Sequence, residues 1–151
     1  MSAPGPQTWS RDFPGTIEAA AEAEAWLMTQ SGALGLAEDT EFALNLCLEE
    51  LFINAVQHGR ANLATISIWA EADGVRLEFV DDGGPFNPGD APAKRISGPG
   101  EDFEIGGFGA ALLQKFSRRM SYRRSDGRNR LLLEFGADLI ANASPETPLT
   151  T

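Results

Sequence analysis

The stretch "CLEELFINAVQHG", Cys47 to Gly59, carries two signals at once. Leu48, Leu51, Phe52, Ile53, Ala55 and Val56 are the composition of a buried helix. Yet Glu50, Asn54 and His58 recur at i, i+4 and i+8, one above another on a single helical face. A carboxylate and an amide in so apolar a segment need partners, because unpaired burial costs about 1–3 kcal/mol per group. An Asn oxygen is a hard ligand suited to Mg²⁺, which completes its octahedron with phosphate and water. A carboxylate one turn earlier can orient or deprotonate a hydroxyl or a water. The same spacing also fits a plain polar helix edge.

The flanking segments set the architecture. "QTWSRDFPG" reads as a short first strand ending at Pro14, after a loose tail. "TIEAAAEAEAWLMTQSG" reads as an amphipathic helix with Thr16 as N-cap and Gly32 as stop. "GLAEDTEFALNLCLEELFINAVQHG" is a second helix, closed by Gly59. The period then changes to two: "ATISIWAEA" and "VRLEFVDD" alternate around Ile66, Ile68, Val75, Leu77 and Phe79, and "ADG" joins them as a hairpin. Gly83 to Gly107 is a long loop of the kind that serves as a lid. "FGAALLQKFSRRM" reads as a third helix, and "SYRRSDGRNRLLLEF" as a hairpin turning at Asp126-Gly127. Helices and strands do not strictly alternate, so the order predicts an α+β fold. It is a two-layer sandwich, with a mixed, mostly antiparallel sheet and helices on one face.

Composition narrows the function. At 151 residues and 42% apolar content the chain is sized for one domain with a real core, expected over residues 10–136 with flexible tails at 1–9 and 137–151. No apolar run is long enough for a membrane span, and no secretory signal opens the chain, so a cytoplasmic protein is expected. The single cysteine, Cys47, excludes an internal disulfide and a cysteine-based zinc site. A net charge of −10 argues against direct nucleic-acid binding. Seven of the twelve cations nevertheless fall within sixteen residues, from Lys115 to Arg130. They form either a solvated surface or a docking surface for an acidic partner.

Two further stations join Glu50 and Asn54. In "FVDDGGPF" a strand ends at Asp81-Asp82 and runs into Gly83-Gly84-Pro85. Alternation puts Asp81 on the apolar side with Phe79 and Asp82 away from it. A carboxylate there can accept a hydrogen bond from an exocyclic amine such as adenine's, and the glycine lets a ring approach the backbone. In "GGFGAALL", Gly106, Gly107 and Gly109 open a helix whose free N–H groups suit phosphate. This is neither a Walker motif nor a dinucleotide fingerprint.

In combination the three motifs resemble those of the anti-sigma factor serine/threonine-protein kinase family, single-domain proteins of the Bergerat or histidine-kinase-like ATPase fold. "EELFINAVQHG" resembles the family's asparagine box, "VDDGGPF" its first glycine box, and "GGFGAALLQKFSRRMSYRRSDGRNRLLLEF" its second box and closing hairpin. The resemblance implies ATP and Mg²⁺ as cofactors, with Asn54 the metal ligand and Glu50 the catalytic base for the acceptor hydroxyl. Asp81 and Gly83 would hold the adenine, and Gly107 and Gly109 would place backbone donors near the phosphates. The implied partners are a sigma factor and a STAS-type antagonist that is phosphorylated, with a homodimer possible. His58 has no assigned role. The chain departs from the pattern at three places. Pro85 replaces a glycine, Leu132 stands where relatives carry a threonine near the adenine, and Ile105 stands where some carry an arginine, leaving only Lys94 and Arg95 in the lid. These departures motivate an alternative, a module that sequesters a partner without kinase turnover. A histidine-kinase catalytic domain fits less well, since the chain leaves no room for a phosphoacceptor hairpin.

Overall fold

The computed structural model describes residues 8–88 and 109–136, and of 109–112 only the backbone. Within those residues the order is β1 (Thr8–Pro14), α1 (Ile17–Leu34), α2 (Glu38–Gln57), β2 (Leu63–Glu71), β3 (Gly74–Asp81), α3 (Gly109–Phe116), β4 (Arg119–Ser125) and β5 (Arg128–Gly136). The strands form one five-stranded sheet, ordered β1-β2-β3-β5-β4. Every pairing in it is antiparallel, which sharpens the expected mixed sheet. The two-layer α+β sandwich holds. None of the described helices is long and apolar enough to cross a membrane.

The inward face of the sheet is built in rows. Ile66, Phe79 and Leu131 stand opposite one another across β2, β3 and β5, and so do Ile68, Leu77 and Leu133. All six are buried, and helices α1, α2 and α3 pack their apolar stripes over them. A chain of edge-to-face aromatic contacts seats α2 on this layer. Trp26 meets Phe13 at 5.9 Å, Phe13 meets Phe52 at 6.3 Å, and Phe52 meets Phe79 at 5.3 Å. Such pairs contribute about 0.5–1.5 kcal/mol each beyond area burial. Cys47 is fully buried, and burial followed by the charge of Glu50 pushes its thiol up to about 12. It is an inert core residue.

Several boundaries move. Thr8 and Trp9, expected in the tail, already belong to β1. Thr16 does cap α1, its hydroxyl accepting the Ala19 N–H at 3.1 Å. Gly32, expected to stop that helix, lies inside it. The helix closes at Gly35, whose φ of 71° is left-handed. There the Leu36 N–H reaches the Ser31 carbonyl at 3.2 Å and the Gly35 N–H reaches Gly32 at 3.1 Å, the paired bonds of a Schellman cap. At the other end of the fold α3 stops at Phe116 rather than running on to Met120, because the Arg118 N–H leaves the helical pattern for the Glu134 carbonyl on β5 at 2.7 Å. Arg119 and Met120 therefore begin β4. The turn at Asp126-Gly127 has both residues at positive φ, the two-residue hairpin geometry expected of Asp-Gly.

The basic segment divides between the two faces of the β4–β5 hairpin. On the outer face Arg118 and Arg76 both meet Asp73 at 2.8 Å, with Glu134 at 3.7 Å from each. The hydrogen bonds from Arg118 and Arg76 hold the Asp73 carboxyl down at about 2. Arg124 points the other way, into the site described below.

The relocated cap has a measurable consequence. Gly32→Ala, at a helical position where a Cβ meets no atom within 4 Å, is expected to raise stability by about 0.5–1 kcal/mol. Gly35→Ala should lower it by about 1 kcal/mol, since the left-handed backbone penalises a side chain. Urea unfolding of both variants checks the pair; a reversed order would place the stop back at Gly32.

Candidate functional site

The site grows from the end of β3. Asp81 lies two residues beyond Phe79 on the inward face and is only 4% exposed. Its register partners are Ala64 on β2 and Asn129 on β5. Two donors converge on its Oδ1: the Gly83 N–H at 2.8 Å and the Asn129 amide at 3.0 Å. Burial pushes the Asp81 pKa up, against the pull of those hydrogen bonds. Asp82 faces outward as expected, and its Oδ1 accepts the N–H groups of Asn62 and Leu63 at 2.7 and 3.0 Å. One aspartate faces the core and its neighbour ties the α2–β2 connection to the strand end.

The glycine turn is pressed against the end of α2. The Gly84 N–H donates to the Gly59 carbonyl at 2.8 Å. A Cβ on Gly83 would stand 2.7 Å from that same carbonyl oxygen, so only glycine lets the two backbones meet. His58 lies at the close of α2, exposed, and stacks on Phe86 with ring centroids 4.8 Å apart and planes 8° apart. The His58 ring thus packs the two motifs together. The expected stripe of three is broken, because α2 ends at Gln57.

The first two members of the stripe are buried together: Glu50 is 7% exposed and Asn54 3%. Glu50 Oε1 is buried with no hydrogen-bond partner among the described residues. Burial first, and the charge of Glu49 second, raise its pKa. A buried carboxylate with a free oxygen is a group held ready for a ligand or a proton. Helix α3, which begins at Gly109, packs directly against α2. Among the expected site residues, Gly107 lies outside the described residues, as do Lys94, Arg95 and Ile105.

Leu132, expected near an adenine, does not share a face with Asp81. It pairs with Glu78 and Ser121 on the outer face, where it lines a surface recess of about 320 Å³ with Arg123 and Arg130. The β5 residue that faces Asp81 is Asn129, 2% exposed. Its amide also donates to the Gly84 carbonyl at 2.8 Å. Its Oδ1 accepts from Tyr122 at 2.6 Å, Arg124 at 3.1 Å and the Phe86 N–H at 3.2 Å. Arg124 Nη1 reaches the Gly83 carbonyl as well, at 2.7 Å. One signal could have found Asn129: it holds the inward phase of Leu131, Leu133 and Phe135, where a polar residue is out of place.

Comparison with known proteins decides the family. The model of the histidine kinase-like ATPase domain matches residues 13–135. The chain belongs to that family. It is 30% identical over 96 residues to the serine/threonine-protein kinase BtrW of Bordetella bronchiseptica, covering 61% of this chain and 68% of BtrW. The crystal structure of the RsbU and RsbW domains of Rv1364c from Mycobacterium tuberculosis superposes over 86% of the chain, with a TM-score of 0.58 and 16% identity. That likeness concerns the fold, and it spans about a third (32%) of the larger protein. The family resemblance read from the three motifs stands with these findings.

The orphaned carboxylate predicts a pH signature. Glu50, with its folded-state pKa raised, costs stability wherever it is ionised in the folded protein. The cost is full at high pH and vanishes below the unfolded value of about 4.3. Glu50→Gln should therefore be more stable than wild type by about 1 kcal/mol at pH 8, with the two converging near pH 4. Denaturant midpoints across that range test it; a variant weaker than wild type at pH 8 would show that the carboxylate has a stabilising partner.

Proposed function

We propose that this chain is an ATP- and Mg²⁺-dependent protein serine/threonine kinase of the anti-sigma type. The observation that carries the reading is one convergence. Glu50, whose Oε1 has no partner among the described residues, and the buried Asn54 lie on a helix whose end is stitched to the Asp81–Gly84 turn, and α3, led by Gly109, packs beside that helix. The likeness to BtrW, a serine/threonine-protein kinase, supports the same reading.

The residues fit the groups they would hold. Asp81 has both of its accepted hydrogen bonds on Oδ1, so Oδ2 is the oxygen available to an exocyclic amine. Gly83, which cannot carry a Cβ here, lets the turn close against Gly59 and so holds Asp81 in place. Asn54 offers a hard amide oxygen to Mg²⁺. Among the described residues no group of three or more acidic, His or Cys side chains is placed to cage a metal. With Asn54 as a protein ligand, phosphate and water would complete the usual coordination of this ion. Bound as its Mg²⁺ complex, ATP would supply the phosphoryl group and the metal would spread its charge. Glu50 takes the proton of the acceptor hydroxyl, and its raised pKa brings it nearer to the working pH of a base. The backbone at the start of α3 offers N–H groups and a positive dipole end to phosphate. The partners, on this reading, are a sigma factor and a STAS-type antagonist that carries the acceptor serine or threonine.

Incubation of the purified protein with labelled ATP and the antagonist tests the proposal, because a sequestering module would bind without labelling it. Glu50→Gln should keep nucleotide affinity within about threefold and lose at least ~100-fold in transfer rate. Asn54→Ala should weaken Mg²⁺-dependent ATP binding by at least ~10-fold in calorimetry. Unimpaired transfer in the first variant, or unchanged affinity in the second, sinks the corresponding assignment.

A further inference from the structure

We infer that Asn129, held in one orientation by Arg124, is the positioning residue that makes the base pocket select adenine over guanine. The inference rests on the nucleotide reading above and concerns the same pocket. It assigns selectivity to two residues of the closing hairpin that the resemblance leaves without a role.

The argument is a count of donors. A primary amide has two N–H donors, and Asn129 commits both, one to Asp81 Oδ1 and one to the Gly84 carbonyl. Its oxygen accepts from Phe86, Tyr122 and Arg124. Two of these, a backbone N–H and a guanidinium, can only donate, so a flipped amide would set its NH₂ against two donors and its oxygen against Asp81. The orientation is therefore fixed. Asn129 is buried and has no donor left to offer a ligand. A purine reaching Asp81 meets acceptors only.

Adenine presents an amine at that edge and satisfies the free Oδ2. Guanine presents a carbonyl oxygen, and the pairing becomes acceptor against acceptor. A site built to hydrogen-bond one group rejects the analogue lacking it, because its buried atoms are left unpaired. The group at that oxygen able to become a donor is Asp81 itself, by taking a proton. Burial pushes it that way, and the amide of Asn129 is the first of the hydrogen bonds that hold it back. Loss of Asn129 thus frees Asp81 to rotate and to take a proton, and a protonated, reoriented carboxyl can donate to guanine.

The test measures Kd for ATP and for GTP by calorimetry, with Mg²⁺, on the full chain and three variants. Wild type should prefer ATP by at least ~100-fold. Asn129→Leu, which removes every donor, should bring that ratio below ~10. Asn129→Ser, which keeps one O–H for Asp81, should retain most of the preference. Arg124→Gln, a change at an exposed side chain, removes one of the two obligate donors that hold the amide oxygen, leaving the Phe86 N–H, and should give an intermediate ratio. Should Asn129→Leu fail to fold, Arg124→Gln decides the matter alone. Equal losses for both nucleotides, with the ratio unchanged, would reduce Asn129 to a structural role and overturn the inference. A wild type that binds ATP and GTP alike overturns it while leaving the kinase reading intact. A wild type that binds neither overturns both.

Discussion

A carboxylate buried at the end of a strand is the constraint around which the rest of this molecule is arranged. Asp81 is carried into the core by the same alternation that buries Leu77 and Phe79, so it must find donors inside the protein. One comes from the Gly83 backbone, which forces the chain into a tight turn at once. The other comes from Asn129, which requires β5 to lie beside β3 in a single register. The turn in turn meets Gly59, and this fixes where α2 ends relative to the sheet. Satisfying one carboxylate therefore positions the asparagine-bearing helix, the glycine turn and the closing hairpin together.

Much of this was legible in the sequence wherever the information is local. The period-two segments, the Asp-Gly hairpin and the Thr16 cap each depend on a few adjacent residues, and each is found as read. Asp81 facing inward and Asp82 outward also followed from alternation alone. What escaped depends on distance along the chain. Nothing near Asn129 indicates a partner 48 residues earlier. Leu132 stands near the adenine only by resemblance, and its alternation with the buried Leu131 and Leu133 turns it to the outer face. Gly32 looked like a stop because any glycine near a helix end does. The real cap is decided by which residue can adopt φ of 71° while Leu36 reaches back to Ser31.

Helix α2 carries a conflict that packing resolves. Glu50 and Asn54 are the residues a stable helix would not bury, and Glu50 keeps an oxygen with no partner among the described residues. The cost is tolerated because α2 is anchored elsewhere along its length, by Phe52 between Phe13 and Phe79 and by Leu44, Leu48 and Leu51 in the core. The helix can therefore hold an unfavourable group without tilting to expose it. Stability surrendered at one or two positions of an otherwise well-packed element is a common mark of a functional site.

The arginines of the closing hairpin show how a composition signal dissolves once the strands have a register. As a run they invited one explanation, solvation or a docking surface. In the fold they do different work. Arg118 belongs to an exposed network with Asp73, Arg76 and Glu134 that ties the start of β4 to the β2–β3 turn. Arg124 faces inward and orients Asn129 against the glycine turn. Arg123 and Arg130 stand directly opposite each other on the outer face, a like-charged pair that strand pairing alone disfavours. Arg130 is steadied there by Ser125, its Nε donating to the hydroxyl at 3.0 Å. Because side chains alternate along β4, neighbouring arginines are sent to opposite faces. A cluster in sequence is thus divided between two faces in space, and the inner one carries the guanidinium that bonds Asn129 and the Gly83 carbonyl.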